Sequence, residues 1–147
     1  MNVLVVEDNP AEARLTEEAF AEVGDDFCLT HVDTGEEALQ VLHHQHTYRN
    51  AARPDLVLLD LNLPGKDGRE VLKEIKSSEE LRSIPVIVVS NSNAPEDIRR
   101  VYGLNGNCYL VKPGDVDEFF EMIRKLIDFW WLMARSSDPK AGRATTD

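Results

Sequence analysis

The chain has 147 residues, of which 42% are hydrophobic and 29% charged, a length that suits one domain burying roughly two-thirds of its unfolded surface. Its 27 Asp and Glu against 16 Lys and Arg give a net charge of −11, which repels nucleic acid and anionic membrane. No apolar run approaches the about 20 residues of a membrane span, so neither nucleic acid nor a membrane is expected as a partner. The opening Met1-Asn2-Val3-Leu4-Val5-Val6-Glu7-Asp8 has no basic region ahead of its short apolar run, unlike a secretory signal. Cys28 and Cys108 lie far apart in apolar surroundings and read as reduced core residues, which together suggests a cytoplasmic protein.

Five short apolar runs punctuate the chain: Val3 to Val6, Phe27 to Val32, Leu56 to Leu59, Val86 to Val89 and Cys108 to Val111. The first, third and fourth are nearly continuous in Val, Leu and Ile, as strands buried on both faces are, while the second and fifth are more mixed. A polar turn and a helical pattern follow each run, giving helices over about Pro10 to Val23, Gly35 to His46, Gly68 to Ser77, Ala94 to Tyr102 and Val116 to Trp131. Each helix start carries a short polar residue and, three positions on, a Glu: Asn9 and Glu12, Thr34 and Glu37, Asp67 and Glu70, Asn93 and Glu96, Asp115 and Glu118. In such a pair the first side chain caps free backbone N–H groups and the Glu reaches back to the cap. Pro10 and Pro95 suit an opening turn, where a missing N–H costs nothing. Strand and helix in alternation predict a parallel sheet with helices on both faces, a three-layer (βα)5 sandwich. The domain is expected over 1–135, and 136–147, with no apolar pattern, as a disordered tail.

Open parallel sheets bind ligands at the carboxyl ends of their strands. The runs end in Glu7-Asp8, in Asp60, in Ser90 and in Lys112-Pro113, which brings three carboxylates, a hydroxyl and an ammonium to one sheet edge. Clustered carboxylates repel unless a cation joins them, and a hard divalent ion such as Mg²⁺ takes oxygen ligands. That set suits phosphoryl transfer, with Asp60 as nucleophile, Mg²⁺ and Lys112 offsetting charge on the phosphoryl oxygens and Ser90 donating a hydrogen bond.

The combination of Glu7-Asp8, the stretch Leu58-Leu59-Asp60-Leu61-Asn62-Leu63-Pro64-Gly65-Lys66-Asp67-Gly68, Ser90 and Tyr109-Leu110-Val111-Lys112-Pro113 resembles the receiver domain of two-component response regulators, across about residues 2 to 131. The resemblance implies a doubly wound, flavodoxin-like sheet of order 2-1-3-4-5. It further implies Asp60 as phosphoacceptor, Asp8 as a direct Mg²⁺ (or Mn²⁺) ligand, Glu7 acting through water and the backbone carbonyl of Asn62 as third protein ligand. Ser90 matches the switch hydroxyl, Tyr109 the aromatic switch residue, Lys112 the phosphate-binding lysine and Pro113 a proline often preceded by a cis bond. Arg53-Pro54, Asp67 to Leu72, Asn107 to Leu110 and Phe129-Trp130 are similar to the stand-alone regulators that pair with phytochrome-type histidine kinases, which makes such a kinase the expected partner. Asn91, directly after Ser90, stands where the family usually has a small residue, and altered autodephosphorylation is expected from it.

His43, His44 and His46 read as a solvated helix end rather than a metal site, and Thr47 to Pro54 as a surface excursion. In the last helix, Val116, Phe119, Phe120, Ile123, Ile127 and Trp130 should face the sheet. A second stripe, Met122, Leu126, Phe129 and Met133, suggests a homodimer through this helix at its Phe129-Trp130 end. The reading is thus a single-domain regulator that catalyses only its own phosphorylation and dephosphorylation and signals by a conformational switch. Its rivals are a phosphorylation-independent dimeric binding module, against which the acidic pair, Asp60 and Lys112 argue, and a metal-dependent phosphatase, which would need an acid/base where Asn62 stands.

Overall fold

The three unbroken apolar runs are the interior strands and the two mixed runs are the edges. In the computed structural model, which describes residues 1–136, β1 (Asn2–Val6), β2 (Cys28–Val32), β3 (Leu56–Leu59), β4 (Val86–Ser90) and β5 (Cys108–Val111) form one sheet. All pairings are parallel and the order is β2-β1-β3-β4-β5, as the resemblance implied. Every residue of β3 and β4 is buried, whereas β2 buries only Val32 and β5 none. An interior strand covered on both faces is apolar along its length and carries a polar residue only where it ends, as β4 does at Ser90, whereas an edge strand admits polar residues throughout.

Alternation along the strands sends side chains to two cores. Leu4, Val6, Val57, Leu59, Val86 and Val88 pack with α2 (Gly35–Leu42), α3 (Gly68–Ser77) and α4 (Pro95–Gly103) on one face. Val3, Val5, Leu56, Leu58, Ile87 and Val89 pack with α1 (Pro10–Val23) and α5 (Val116–Ser136) on the other. Burial at this scale is the main stabilising term of such a domain.

Four of the five expected caps form: Asn9, Thr34, Asp67 and Asp115 each accept backbone N–H bonds at a helix start. The fourth helix differs. Its cap position is Ala94, not Asn93, and the Ser92 hydroxyl accepts from the Ala94 N–H at 3.2 Å instead. α2 stops at Leu42, short of the expected His46, because His44 and His46 take left-handed backbone (φ 54° and 53°) and lead into a 3-10 turn, His46–Tyr48. All three histidines are exposed. The excursion that follows is pinned rather than loose, with the Tyr48 hydroxyl donating to Glu37 and Arg53 donating to the Glu80 carbonyl and Ser83 hydroxyl. Neither cysteine is a core residue: both are free, Cys28 is exposed and Cys108 half-buried, because each begins an edge strand.

The last helix runs past Trp131 to Ser136; the side chains of Trp131 and Met133 and the expected tail from 137 on lie outside the described residues. Phe119, Ile123, Leu126 and Ile127 are buried, and Phe120, Met122 and Trp130 pack against the same core. Leu126 and Met122, assigned to a second stripe, are therefore accounted for within the monomer, where α5 lies alongside α1. Val116, expected to face the sheet, is instead 59% exposed, since the helix opens beyond the sheet edge; Phe129 is equally exposed.

Gly68 shows how tightly α3 sits against the site strand. A Cβ there would stand 2.3 Å from the Asp60 carbonyl oxygen and 2.6 Å from the Leu61 Cα, both backbone atoms with nowhere to go. Gly68→Ala should cost roughly 3 kcal/mol in chemical denaturation. Gly103→Ala, at a position with nothing within 4 Å, should stay within about 0.5 kcal/mol of the parent.

Candidate functional site

Glu7, Asp60 and Lys112 stand one step beyond their strands and are still held by the ladder, while Ser90 is the last residue of β4. The Glu7 N–H donates to the Val32 carbonyl at 3.1 Å, that of Asp60 to Val6 at 3.0 Å and that of Lys112 to Ser90 at 2.7 Å. These bonds bring the Glu7, Asp60 and Lys112 side chains to one point on the sheet edge. Glu7, Asp60, Ser90 and Lys112 are all buried, while Asp8, at the rim, is exposed.

Lys112 is the hub. Its ammonium donates to Glu7 Oε1 at 2.8 Å, to Asp60 Oδ2 at 3.1 Å and to Glu12 Oε2 at 2.5 Å. The other Asp60 oxygen, Oδ1, accepts the Asn62 backbone N–H at 3.0 Å. Burial pushes the Glu7 carboxyl up to about 9, with the adjoining Asp60 and Glu12 carboxyls adding to the effect and Lys112 opposing it. Burial alone would lower Lys112, but its bonds to Glu12 and Glu7 outweigh that and hold it charged well above the usual lysine range. Carboxylate oxygens of Glu7, Asp8 and Asp60 lie within 4.8 Å of one another. Closely spaced hard oxygen donors, one of which takes up a proton so readily, are a donor set that fits a divalent cation. A cavity of about 20 Å³, the size of one water, lies beneath Glu7 and Asp60 and is lined also by Thr16, Phe119 and Ile123.

Ser90 and Tyr109 meet through the β4–α4 loop. The Ser90 hydroxyl oxygen accepts the Ser92 N–H at 3.2 Å, and the Tyr109 hydroxyl donates to the Ser92 carbonyl at 2.7 Å. The Tyr109 ring is half-buried against the core on the α3–α4 face. The Ser92 hydroxyl donates to Asp97 at 2.5 Å, and Asp97 takes Arg69 at 2.6 Å, which links this loop to α3. Asn62 and Asn91 are exposed, and the peptide bond before Pro113 is trans, not cis.

Glu7, Asp60 and Lys112 are thus brought together, and Glu12 joins them from a role that sequence reasoning assigned elsewhere. Glu12 looked like the return arm of a helix cap, but the Asn9 N–H goes to Glu7 Oε2 at 3.4 Å and the Glu12 carboxylate goes to Lys112. The only available signal was position, since a first-turn Glu after a strand-ending acidic pair faces the same sheet edge. Ser92, Asp97 and Arg69 come from separate elements and carry no joint signature.

A family model for the response regulator receiver domain matches residues 3–124. The chain belongs to that family. Among curated relatives, Response regulator Rcp1 of Synechocystis sp. is 42% identical over 128 residues, 87% of each chain. The probable methanogenesis regulatory protein FilR2 of Methanothrix harundinacea is 39% identical over 137 residues, 93% of this chain and 88% of the relative. Among solved structures, the phosphorylated cyanobacterial phytochrome response regulator RcpA superposes with a TM-score of 0.86 at 45% identity, covering 88% of this chain and 93% of its own. The Mn²⁺-bound form of Rcp1 superposes at 0.85 and 42% identity with the same coverage. The likeness to phytochrome-associated regulators seen in the sequence therefore holds, and the receiver fold with it.

In this receiver domain the Ser92 hydroxyl, and after it Arg69, keep the Asp97 carboxyl below the usual carboxylate range. A carboxylate with a lowered folded-state value stabilises the fold above its ordinary value and ceases to as the pH falls through the lowered one. Asp97→Asn should therefore melt below the parent at neutral pH, with the gap closing below about pH 4; thermal melts across that range check it.

Proposed function

We propose that the chain is a response regulator that accepts a phosphoryl group on Asp60 from a histidine kinase, in a reaction that requires Mg²⁺ or Mn²⁺. The observation that carries this is the buried Asp60 carboxylate held between the Lys112 ammonium and the Asn62 N–H. Both contacts fix the nucleophile, so little orientation remains to be found in the reaction. A carboxylate oxygen of Asp60 attacks the donor phosphorus, and the P–N bond of the kinase phosphohistidine breaks. The imidazole leaves with the electron pair and takes up a proton. Lys112 and Ser90 donate to the phosphoryl oxygens, where positioning and charge supply most of the catalysis. Asp8, Asp60, the Asn62 backbone carbonyl and, through water, Glu7 would hold the divalent ion, which supplies positive charge for the same oxygens. Asn91, exposed directly after Ser90, is the residue proposed to tune the approach of the water that later hydrolyses the acyl phosphate.

Movement of Ser90 toward the phosphoryl group draws on its bond with Ser92, and Ser92 in turn holds Tyr109 and, through Asp97, α3 and α4. Phosphorylation thereby shifts a two-state equilibrium at this loop and changes the surface a partner meets. An open groove lined by Pro10, Ala11, Arg14, Leu15, Glu18 and Val116, beside the start of α1, suits a kinase helix with an apolar stripe flanked by charges. A phytochrome-type kinase is the partner supported by the likeness to RcpA. The exposed Phe129, on the outer side of α5, supports a homodimer through the last helix.

Incubation with acetyl phosphate and Mg²⁺ should yield one base-labile phosphate per chain, absent in Asp60→Asn; turnover of many donor equivalents would favour a phosphatase instead. Asn91→Ala should change the half-life of that phosphate by roughly threefold or more, the scale of a displaced water contact, and an unchanged decay would remove its role. Light scattering with and without a phosphoryl mimic should show a dimer that Phe129→Ser weakens.

A further inference from the structure

The Lys112 ammonium has three N–H groups, and all three are committed to carboxylates in this structure. To donate to a phosphoryl oxygen on Asp60 it must release one of them. Glu7 is buried, lies within the acidic cluster and accepts the Asn9 N–H on its other oxygen. Asp60 is itself the acceptor of the group. Glu12 differs from both: its side chain is 26% exposed, it sits on the first turn of α1 and it is outside the cluster formed by Glu7, Asp8 and Asp60. Its carboxylate can swing to water at little cost, which the two buried ones cannot.

We propose that Glu12 is a positioning residue acting through Lys112: it holds the ammonium over the empty site and competes with the phosphoryl group for it. The inference rests on the reading of Asp60 as phosphoacceptor and deepens it. With the site empty, the short Glu12–Lys112 bond completes the lysine's hydrogen bonding and keeps it aimed at Asp60. When a phosphoryl group arrives, the third N–H transfers from Glu12 to a phosphoryl oxygen, and the Glu12 charge remains as a nearby repulsion. Glu12 therefore biases the site toward its empty form. Removing its charge should favour the occupied form, because Glu7 and Asp60 still hold the lysine in place. A purely structural role, as a first-turn acid favourable to the helix dipole, would affect only stability.

The test compares the parent chain, Glu12→Gln and Asp60→Asn by calorimetric titration with beryllium trifluoride in the presence of Mg²⁺, and with Mg²⁺ alone. Glu12→Gln should bind the phosphoryl mimic roughly tenfold more tightly, the worth of about one charge-assisted hydrogen bond. Its affinity for Mg²⁺ alone should stay within about twofold, since Glu12 is not in the acidic cluster. Its half-maximal acetyl phosphate concentration for labelling should fall in step with the mimic. Unchanged or weaker mimic binding in Glu12→Gln, with the parent binding normally, overturns the role of Glu12 and leaves Asp60 as acceptor. A tenfold change already present with Mg²⁺ alone also overturns it, because the effect would then run through the metal. Failure of the parent itself to bind the mimic, or binding by Asp60→Asn equal to the parent, removes the reading beneath it as well.

Discussion

One buried ammonium is hydrogen-bonded to three carboxyl groups at the edge of the sheet, and the rest of the site is arranged around it. Charges removed from water are costly unless paired and fully hydrogen-bonded. Lys112 meets that condition with three donors and three acceptors, from the end of β1, the first turn of α1 and the end of β3, all more than 50 residues from it in the chain. The negative charge still exceeds the positive, which is visible in the reluctance of Glu7 to ionise. A site left with surplus negative charge and closely spaced oxygen donors is receptive to a divalent cation. Stability and reactivity here have a common electrostatic origin.

The sheet makes that arrangement rigid. β1, β3 and β4 are buried on both faces, so their ends cannot shift without disturbing two cores at once. The ladder bonds that continue one residue beyond them carry this rigidity into Glu7, Asp60 and Lys112. Gly68 adds a further restraint by letting the start of α3 touch the backbone that follows Asp60. Interiors packed this closely transmit small displacements rather than absorb them.

The β4–α4 loop is built on different principles. Its contacts are polar, partly solvated and concentrated on Ser92, which touches Ser90, Tyr109, Asp97 and Ala94. Bonds of this kind exchange at lower cost than apolar packing, so the loop is suited to have two arrangements where the sheet has one. The rigid edge and the exchangeable loop share a single residue, Ser90, which is buried at the end of β4.

The sequence by itself determined the elements and the chemistry of the edge. Runs such as Val86 to Val89, with no polar residue, belong only in a strand covered on both faces, and polar residues directly after such runs must emerge at the sheet's carboxyl end. Caps such as Asn9 and Thr34 were legible because they bond within their own turn. Tertiary structure decided whatever depends on a partner distant in the chain. Glu12 could satisfy its own helix start or a lysine 100 residues away; the Asn9 N–H is met by Glu7 instead, and the Glu12 carboxylate completes the hydrogen bonding of the buried ammonium. Long-range packing likewise decided the second stripe of α5, half of which is covered by the monomer's own core, and the Arg69–Asp97–Ser92 link, whose members meet only when α3 and α4 pack on one face of the sheet. Local bonds are written in local spacing; long-range charge pairing is selected by which groups the fold removes from water.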